Sequence, residues 1–283
     1  MTEFGEAWSA SLRRGAEAEL KGWVDTALGW CDDSDAIAMR HFRRDPVVER
    51  KPERSFVTVA DTGIERLVRE RIAESFPDHG IVGEEYGTQA PGAAVSWFVD
   101  PIDGTHNYLR GVPIFATLLG VARDGVLQAA VISAPALGER WYGWRGGGAW
   151  AASSRPGAAG PRRLRVSRVG DLGDAQVLYA SGTEIEASGR APGFRGLLRA
   201  AWRERGFGEF WGYALVAEGA AEAMVEVDLR PWDCAAPMLL VEEAGGRVTD
   251  FEGRRSFEGQ TFVATNGRLH ETVLASLAGG EPA

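Results

Sequence analysis

The sequence is poor in cysteine, histidine and lysine. It has 2 cysteines and 4 histidines, and its only lysines are Lys21 and Lys51. Two cysteines cannot build a disulfide framework, and the scattered histidines do not combine with them into a zinc site. The longest mainly apolar run, residues 112–122, is shorter than the ~20 residues that span a bilayer. The first residues also lack the basic and then apolar pattern of a signal peptide. These absences predict a cytoplasmic protein with no membrane segment.

Acidic residues exceed basic ones, 40 against 31, which gives a formal net charge of −9. Coating a nucleic acid requires a basic face, so we expect no nucleic-acid partner. The 283 residues suffice for one large core or two packed sub-domains. Residues 145–165 are rich in glycine, alanine, serine, proline and arginine, which is typical of an exposed connection. We therefore expect an N-terminal sub-domain over 1–148 and a C-terminal one over 149–283.

Apolar periodicity gives a coarse secondary structure. Helical spacing predicts helices over 20–42, 61–76, 194–205, 214–224 and 233–243. A short apolar run predicts a buried strand over 95–99, and the runs 116–122 and 126–133, joined by Asp124-Gly125, predict a hairpin. The strand over 95–99 leads directly into a polar motif, as strands do where they enter functional loops.

That motif is DPIDGT, residues 100–105. Asp100 and Asp103 are close in the chain, and neighbouring carboxylates raise one another's pKa unless a cation holds them. Oxygen ligands without cysteine or histidine favour a hard ion such as Mg²⁺. The backbone amides of Gly104 and Thr105 would open a turn or helix and can receive a phosphate. The alternative is that the aspartates only cap a helix.

Two further acidic elements are ambiguous when taken singly. Glu84 lies in the loop-like stretch GEEYG, which is either solvated surface or part of a site. Asp233 opens the helix that begins WDCAA, where an aspartate is an ordinary N-cap residue. The combination of these elements with DPIDGT is more specific than any one of them.

In that combination, which continues to EEAGG after the WDCAA helix, the chain resembles the inositol monophosphatase family of Mg²⁺-dependent phosphatases from Lys51 to its last helix. The resemblance implies an α+β fold, a layered αβαβα sandwich, and a homodimer. It implies two or three Mg²⁺ ions. The implied metal ligands are Glu84, Asp100, the backbone carbonyl of Ile102, Asp103 and Asp233. The segment KPERSFVTVAD resembles the family's lysine followed by Thr-x-x-Asp, which implies that Asp61 and Thr105 activate the attacking water beside the catalytic Glu84.

Three further segments, RGVPIFATL, SAPALGERW and FWGYALVAEGA, resemble the histidinol-phosphatase branch of this family. The resemblance implies hydrolysis of histidinol phosphate, whose amine and imidazole suit an acidic wall. Glu226 occupies the position of the family's substrate-contacting glutamate, and Glu209 is a second candidate. Trp211 is a candidate for packing on the ring, although a tryptophan is more often a core residue. His106 stands where the branch has lysine or arginine, so a phosphate contact from it would be weaker.

Two other functions compete with this interpretation. An inositol-1-phosphate phosphatase would use the same metal ligands on a neutral polyol. A non-catalytic regulatory protein on the same fold would be expected to have lost a metal ligand. Since every implied ligand is present, the sequence favours catalysis.

Overall fold

Two β-sheets and the helices around them form the framework in the computed structural model, which describes residues 3–44, 48–50 and 56–279. The strands are β1 (Val48–Arg50), β2 (Phe56–Thr58), β3 (Gly80–Gly83), β4 (Gly87–Gln89), β5 (Val95–Asp103), β6 (Ala116–Arg123), β7 (Val126–Ala134), β8 (Glu139–Trp144), β9 (Gly148–Ser153), β10 (Arg162–Arg163), β11 (Gln176–Tyr179), β12 (Arg203–Arg205), β13 (Ala223–Val227), β14 (Arg247–Thr249) and β15 (Thr261–Thr265). The helices are α1 (Glu3–His41), α2 (Val59–Ser75), α3 (Thr105–Leu109), α4 (Gly182–Ile185), α5 (Ala191–Ala200), α6 (Glu209–Glu218), α7 (Pro231–Glu243) and α8 (His270–Leu277).

The larger sheet has 8 strands in the order β10-β9-β8-β7-β6-β5-β3-β4. Its pairs are antiparallel except for β3 with β5, which run parallel. The smaller sheet has 5 strands in the order β12-β11-β13-β15-β14, and β1 and β2 form a separate ribbon. The predicted hairpin of β6 and β7 is confirmed, with Asp124 and Gly125 both at positive φ in its turn.

The helices and sheets stack as five layers. α1 and α2 cover one face of the larger sheet, and Trp30, Ile64 and Trp97 belong to the core between them. α6 and α7 fill the space between the two sheets. α7 is buried because it is apolar on nearly every side, from Cys234 to Val241. α5 and α8 pack on the outer face of the smaller sheet. The predicted α+β fold, a layered αβαβα sandwich, is confirmed.

The larger sheet continues past the expected sub-domain boundary. β9 begins at Gly148 and pairs with β8, and β10 extends the same sheet to Arg163. Strand pairing therefore changes from one sheet to the other between Arg163 and Gln176, although the expected division was 1–148 and 149–283. Glycine and alanine in β9 resemble linker composition, but here they let the strand pack in the core. None of the described helices is long and apolar enough to cross a bilayer.

Candidate active site

β5 supplies two carboxylates to one side of the larger sheet. Side chains alternate between faces along a regular strand, so residues 100 and 103 would normally point to opposite faces. Between them the pairing with β6 shifts register, because Asp100 lies opposite Leu118 and Asp103 lies opposite Ala116. The one extra residue on β5 is a β-bulge, which re-aims the side chains that follow it. The bulge explains how both carboxylates reach one site.

The turn after β5 depends on Gly104, which has φ of 82° and ψ of 37°. A Cβ atom at this position would lie 2.9 Å from the carbonyl oxygen of Ile114, so both the conformation and the space favour glycine. Thr105 then begins α3, and its hydroxyl donates a hydrogen bond to the carbonyl oxygen of Ile102 at 2.9 Å. Gly104 and Thr105 both line the cleft described below, and their contact with phosphate stays a prediction.

Asp61 approaches the same turn from α2. It is fully buried, and its carboxylate accepts hydrogen bonds from the backbone amide and hydroxyl of Thr58, which is the N-cap residue of the helix. Its Oδ1 atom lies 3.4 Å from the hydroxyl oxygen of Thr105. Burial raises the pKa of the Asp61 carboxyl to about 6, although the hydrogen bonds from Thr58 oppose this shift. Asp61 therefore helps to cap α2 and also lies beside Thr105.

α7 supplies the third carboxylate. Asp233 is held in the first turn of this helix by the backbone amide of Arg230, at 2.7 Å. Asp100, Asp103 and Asp233 each offer an oxygen atom, and these atoms lie within 4.8 Å of one another. The Asp100 Oδ1 atom is buried without a hydrogen-bond partner within the described ranges. Burial, followed by the negative charges of Glu84 and Asp103, raises the pKa of the Asp100 carboxyl.

This trio fits a hard divalent cation. An unsatisfied buried oxygen among three converging carboxylates is costly unless a positive charge is shared between them. Oxygen donors alone match the ligand preference of Mg²⁺. Glu84 and Ile102 line the same cleft, where Glu84 lies in the turn after β3. Three of the five ligands predicted from the sequence are thus brought together, and the other two line the same cleft.

The cleft has a volume of about 760 Å³ and lies between the two sheets. Carboxylates dominate its lining: Glu84, Asp100, Asp103, Glu184, Glu209, Glu226, Asp228 and Asp233. The basic side chains that line it are His106 and Arg230. A cation, or a substrate with a cationic part, is therefore favoured in this cleft over a purely anionic molecule.

The part of the cleft that adjoins the metal trio is built by α6 and β13, and we call it the α6–β13 end. Glu226 on β13 is 7% exposed, and its carboxylate accepts a hydrogen bond from the hydroxyl of Tyr213 on α6. Burial, followed by the charge of Glu209, raises the pKa of the Glu226 carboxyl to about 8. Glu209 begins α6 at a φ of 59°, and the next amide, that of Phe210, donates to Asp103 Oδ2 at 2.7 Å. The first turn of α6 therefore contacts both ends of the cleft.

Trp211 and His106 are placed differently. His106 is exposed and lines the cleft. Trp211 is absent from the cleft lining, and its ring packs on Phe207 with the centroids 4.9 Å apart. The alternative interpretation of Trp211 as a core residue accounts for this contact, and nothing in the cleft supports the predicted stacking on a substrate ring.

Sequence reasoning missed Glu65 and Tyr213. Glu65 is a fully buried carboxylate on α2, one turn after Asp61. The signal for it was available, because Glu65 falls on the helix face of Ile64, Val68 and Ile72, where a charge needs a partner. Tyr213 gave no such signal, since a tyrosine on an apolar helix is ordinary core composition.

Known proteins are similar to this chain over nearly its whole length, including the cleft residues. A family model described as "Inositol monophosphatase family" matches residues 20–280. A histidinol-phosphatase from Mycobacterium tuberculosis is 40% identical over 255 residues, which cover 90% of this chain and 97% of that protein. An inositol-1-monophosphatase from Rhizobium meliloti is 37% identical over 235 residues, 80% of this chain and 84% of that protein. Among solved structures, the IMPase of Thermotoga maritima has a TM-score of 0.80 at 29% identity, over 91% of this chain and 97% of that one.

Proposed function

The chain belongs to the inositol monophosphatase family and is a phosphate monoester hydrolase, and we propose that histidinol phosphate is its substrate and Mg²⁺ its metal. The observation that carries this proposal is the cleft itself. The metal end holds three converging carboxylates suited to a metal, and the adjoining α6–β13 end presents Glu226 and Glu209 to whatever the phosphate is attached to. A substrate that carries both a phosphate and a cationic amine matches the two ends.

At the metal end, Asp100, Asp103 and Asp233 would hold the metal, with Glu84 and the carbonyl oxygen of Ile102 as further ligands. Bound Mg²⁺, in two or three ions, would neutralise the phosphoryl oxygens and lower the pKa of a water molecule. The chain's own contribution is to fix these oxygen atoms in advance. The bulge in β5 and the first turn of α7 hold them before substrate arrives.

Asp61 and Thr105 handle the proton of the attacking water. The Thr105 hydroxyl, whose shorter hydrogen bond goes to the carbonyl oxygen of Ile102 at 2.9 Å, turns its hydrogen toward Asp61 Oδ1, 3.4 Å away, when it accepts a hydrogen bond from the water. The water oxygen forms a bond to phosphorus as the bond to the ester oxygen breaks. The water's proton moves through Thr105 to Asp61, and the ester oxygen leaves as an alcohol after taking a proton from solvent. The products are histidinol and inorganic phosphate.

At the other end, Glu226 and Glu209 bind the cationic part of the substrate. Glu226 is the stronger candidate because it is buried and its orientation is fixed by Tyr213. A buried carboxylate opposite an ammonium group forms a charge-assisted hydrogen bond, which is stronger than a neutral one. His106 also lines the cleft and stays a candidate for contacting the phosphate.

The test is phosphate release from histidinol phosphate, inositol-1-phosphate and a 3′-phosphonucleotide, measured side by side with Mg²⁺ and with EDTA. We expect turnover that requires Mg²⁺ and a kcat/KM that is highest for histidinol phosphate. A higher kcat/KM for inositol-1-phosphate would favour the second candidate, which the Rhizobium meliloti relative supports. Failure to release phosphate from any ester would leave the non-catalytic alternative.

Two further predictions accompany this function. We propose a cytoplasmic location, where a biosynthetic phosphatase would meet its substrate. We also propose a homodimer, which light scattering during size-exclusion chromatography would check. A monomer across the working concentration range would contradict it.

A further inference from the structure

Glu65 on α2 is a buried carboxylate outside the cleft lining. Its side chain is 0% exposed, and its two oxygen atoms are fully engaged. Oε2 accepts a hydrogen bond from the backbone amide of Glu85 at 2.7 Å, and Oε1 accepts one from the amide of Tyr86 at 3.1 Å. Arg69, one turn later on the same helix, donates its Nε–H to Oε1 at 2.8 Å. Burying a charged carboxylate is costly without such partners, so the buried position of Glu65 depends on these three hydrogen bonds.

The two amides belong to the turn that carries Glu84. This turn joins β3 to β4, and β4 is the exposed edge strand of the larger sheet. Tyr86 is 51% exposed, so the turn has little apolar packing of its own. On its other side, the amide of Glu84 donates to the carbonyl oxygen of Val99 at 3.2 Å, next to Asp100. The backbone of Glu84 therefore lies between a hydrogen bond to β5 and a pair of hydrogen bonds to Glu65.

Two neighbours reinforce this contact. A Cβ atom at residue 83 would lie 2.1 Å from Glu65 Oε1, so the carboxylate passes directly over Gly83. The guanidinium group of Arg69 also donates to the carbonyl oxygen of Gly87 and lies 5.8 Å from the centre of the Tyr86 ring. Glu65 and Arg69 thus contact the turn between β3 and β4 along its whole length, from residue 83 to residue 87.

We propose that Glu65 is a positioning residue that sets the metal affinity of the cleft by fixing the Glu84 turn against β5. The inference rests on the proposed function, in which Glu84 is a metal ligand. Without Glu65 the turn keeps the Val99 bond and the Arg69 contact with Gly87 but loses the two hydrogen bonds to the amides of Glu85 and Tyr86, so Glu84 must be ordered further when the metal binds. That ordering cost weakens binding without changing the ligand set, as residues that orient metal ligands do.

The experiment measures Mn²⁺ binding to the full chain without substrate, by the electron paramagnetic resonance signal of free Mn²⁺. Glu65→Gln keeps the shape but removes the charge and part of the hydrogen-bonding capacity. The matched control is Glu70→Gln, which makes the same change at an exposed position of α2. We expect the Kd for Mn²⁺ to rise about 10-fold in E65Q and to stay at the wild-type value in E70Q. We also expect kcat at saturating Mg²⁺ to recover, with a higher Mg²⁺ concentration needed for half-maximal rate.

A purely structural role would lower the melting temperature of E65Q in EDTA and leave the Mn²⁺ affinity of the folded protein unchanged, which would overturn the proposal. If E65Q does not fold, Glu65→Asp decides the question. It keeps the charge but is one methylene shorter, so it no longer reaches the amides of Glu85 and Tyr86; a raised Kd supports the proposal and an unchanged Kd overturns it. Absence of Mn²⁺ binding by the wild type would instead refute the metal requirement of the proposed function, and this inference with it.

Discussion

The two ends of the cleft differ in how their carboxylates are held. At the metal end, Asp61 and Asp233 lie in the first turns of helices, and their carboxylates accept hydrogen bonds from backbone amides. Asp100 and Asp103 lie on one strand that contains a β-bulge. At the substrate end, Glu226 is held by a side chain, that of Tyr213, and Glu209 sits at a strained φ. Backbone anchoring survives changes in neighbouring side chains, whereas side-chain anchoring changes with them. The metal end therefore suits a shared chemistry, and the substrate end suits a specificity that varies.

The largest effect should come from the metal end. Asp100→Asn removes the carboxylate with the orphaned oxygen, and we expect phosphate release at saturating Mg²⁺ to fall by more than ~100-fold, since even residues around a metal ligand cost up to that much. The metal-free protein should melt at the same or a higher temperature, because the pKa of Asp100 is raised by burial and by Glu84 and Asp103, so the variant removes a repelling charge.

Differential scanning fluorimetry in EDTA and in Mg²⁺ checks the second part. Mg²⁺ should raise the melting temperature of the wild type and have little effect on D100N, because a ligand stabilises a protein only as far as it binds. If D100N kept a tenth of the wild-type rate of phosphate release, its loss would be no larger than the one expected at Glu226, and the metal end would not be the more sensitive of the two.

The same difference decides what the sequence could predict. Asp100, Asp103 and Asp233 were recognisable because each lies in a motif that is local in the chain, DPIDGT in the last part of β5 and the turn after it, or WDCAA at the start of α7. The helices expected over 194–205 and 214–224 were wrong at their ends. Residues 203–205 pair with β11 as an edge strand, and α6 ends at Glu218, where Gly219 at a φ of 74° caps it.

The substrate end was harder to predict because its contacts are tertiary. Tyr213 and Glu226 are 13 residues apart and meet only after α6 packs over β13. Trp211 and Tyr213 are both aromatic residues of α6, and periodicity alone does not say which one contacts a residue of the cleft. In the structure Tyr213 contacts Glu226, whereas Trp211 packs on Phe207.

Glu226→Gln tests the substrate end with an intermediate effect. It removes a carboxyl group whose pKa of about 8 would fall beside the substrate's amine, which favours its ionised form. We therefore expect kcat/KM for histidinol phosphate to fall about 10- to 100-fold, or ~1.4–2.8 kcal/mol. The loss for inositol-1-phosphate should be much smaller, since that substrate has no cation. Steady-state kinetics on both esters make the comparison within one variant. Equal losses on the two substrates would remove Glu226 from cation recognition and make it a general structural residue of the cleft.

The smallest effect should come from Tyr213→Phe, which deletes the hydroxyl that holds Glu226 and changes little else. A single hydrogen bond contributes about 1 kcal/mol, so we expect KM for histidinol phosphate to rise about 5-fold with kcat nearly unchanged. Tyr142→Phe, on β8 and away from the cleft, is the matched control and should leave both constants unaltered. If Y213F lowered kcat as much as it raised KM, the hydroxyl would be acting on the metal end through Asp103 and α6. The separation between a backbone-anchored end and a side-chain-anchored end would then fail at the helix that contacts both.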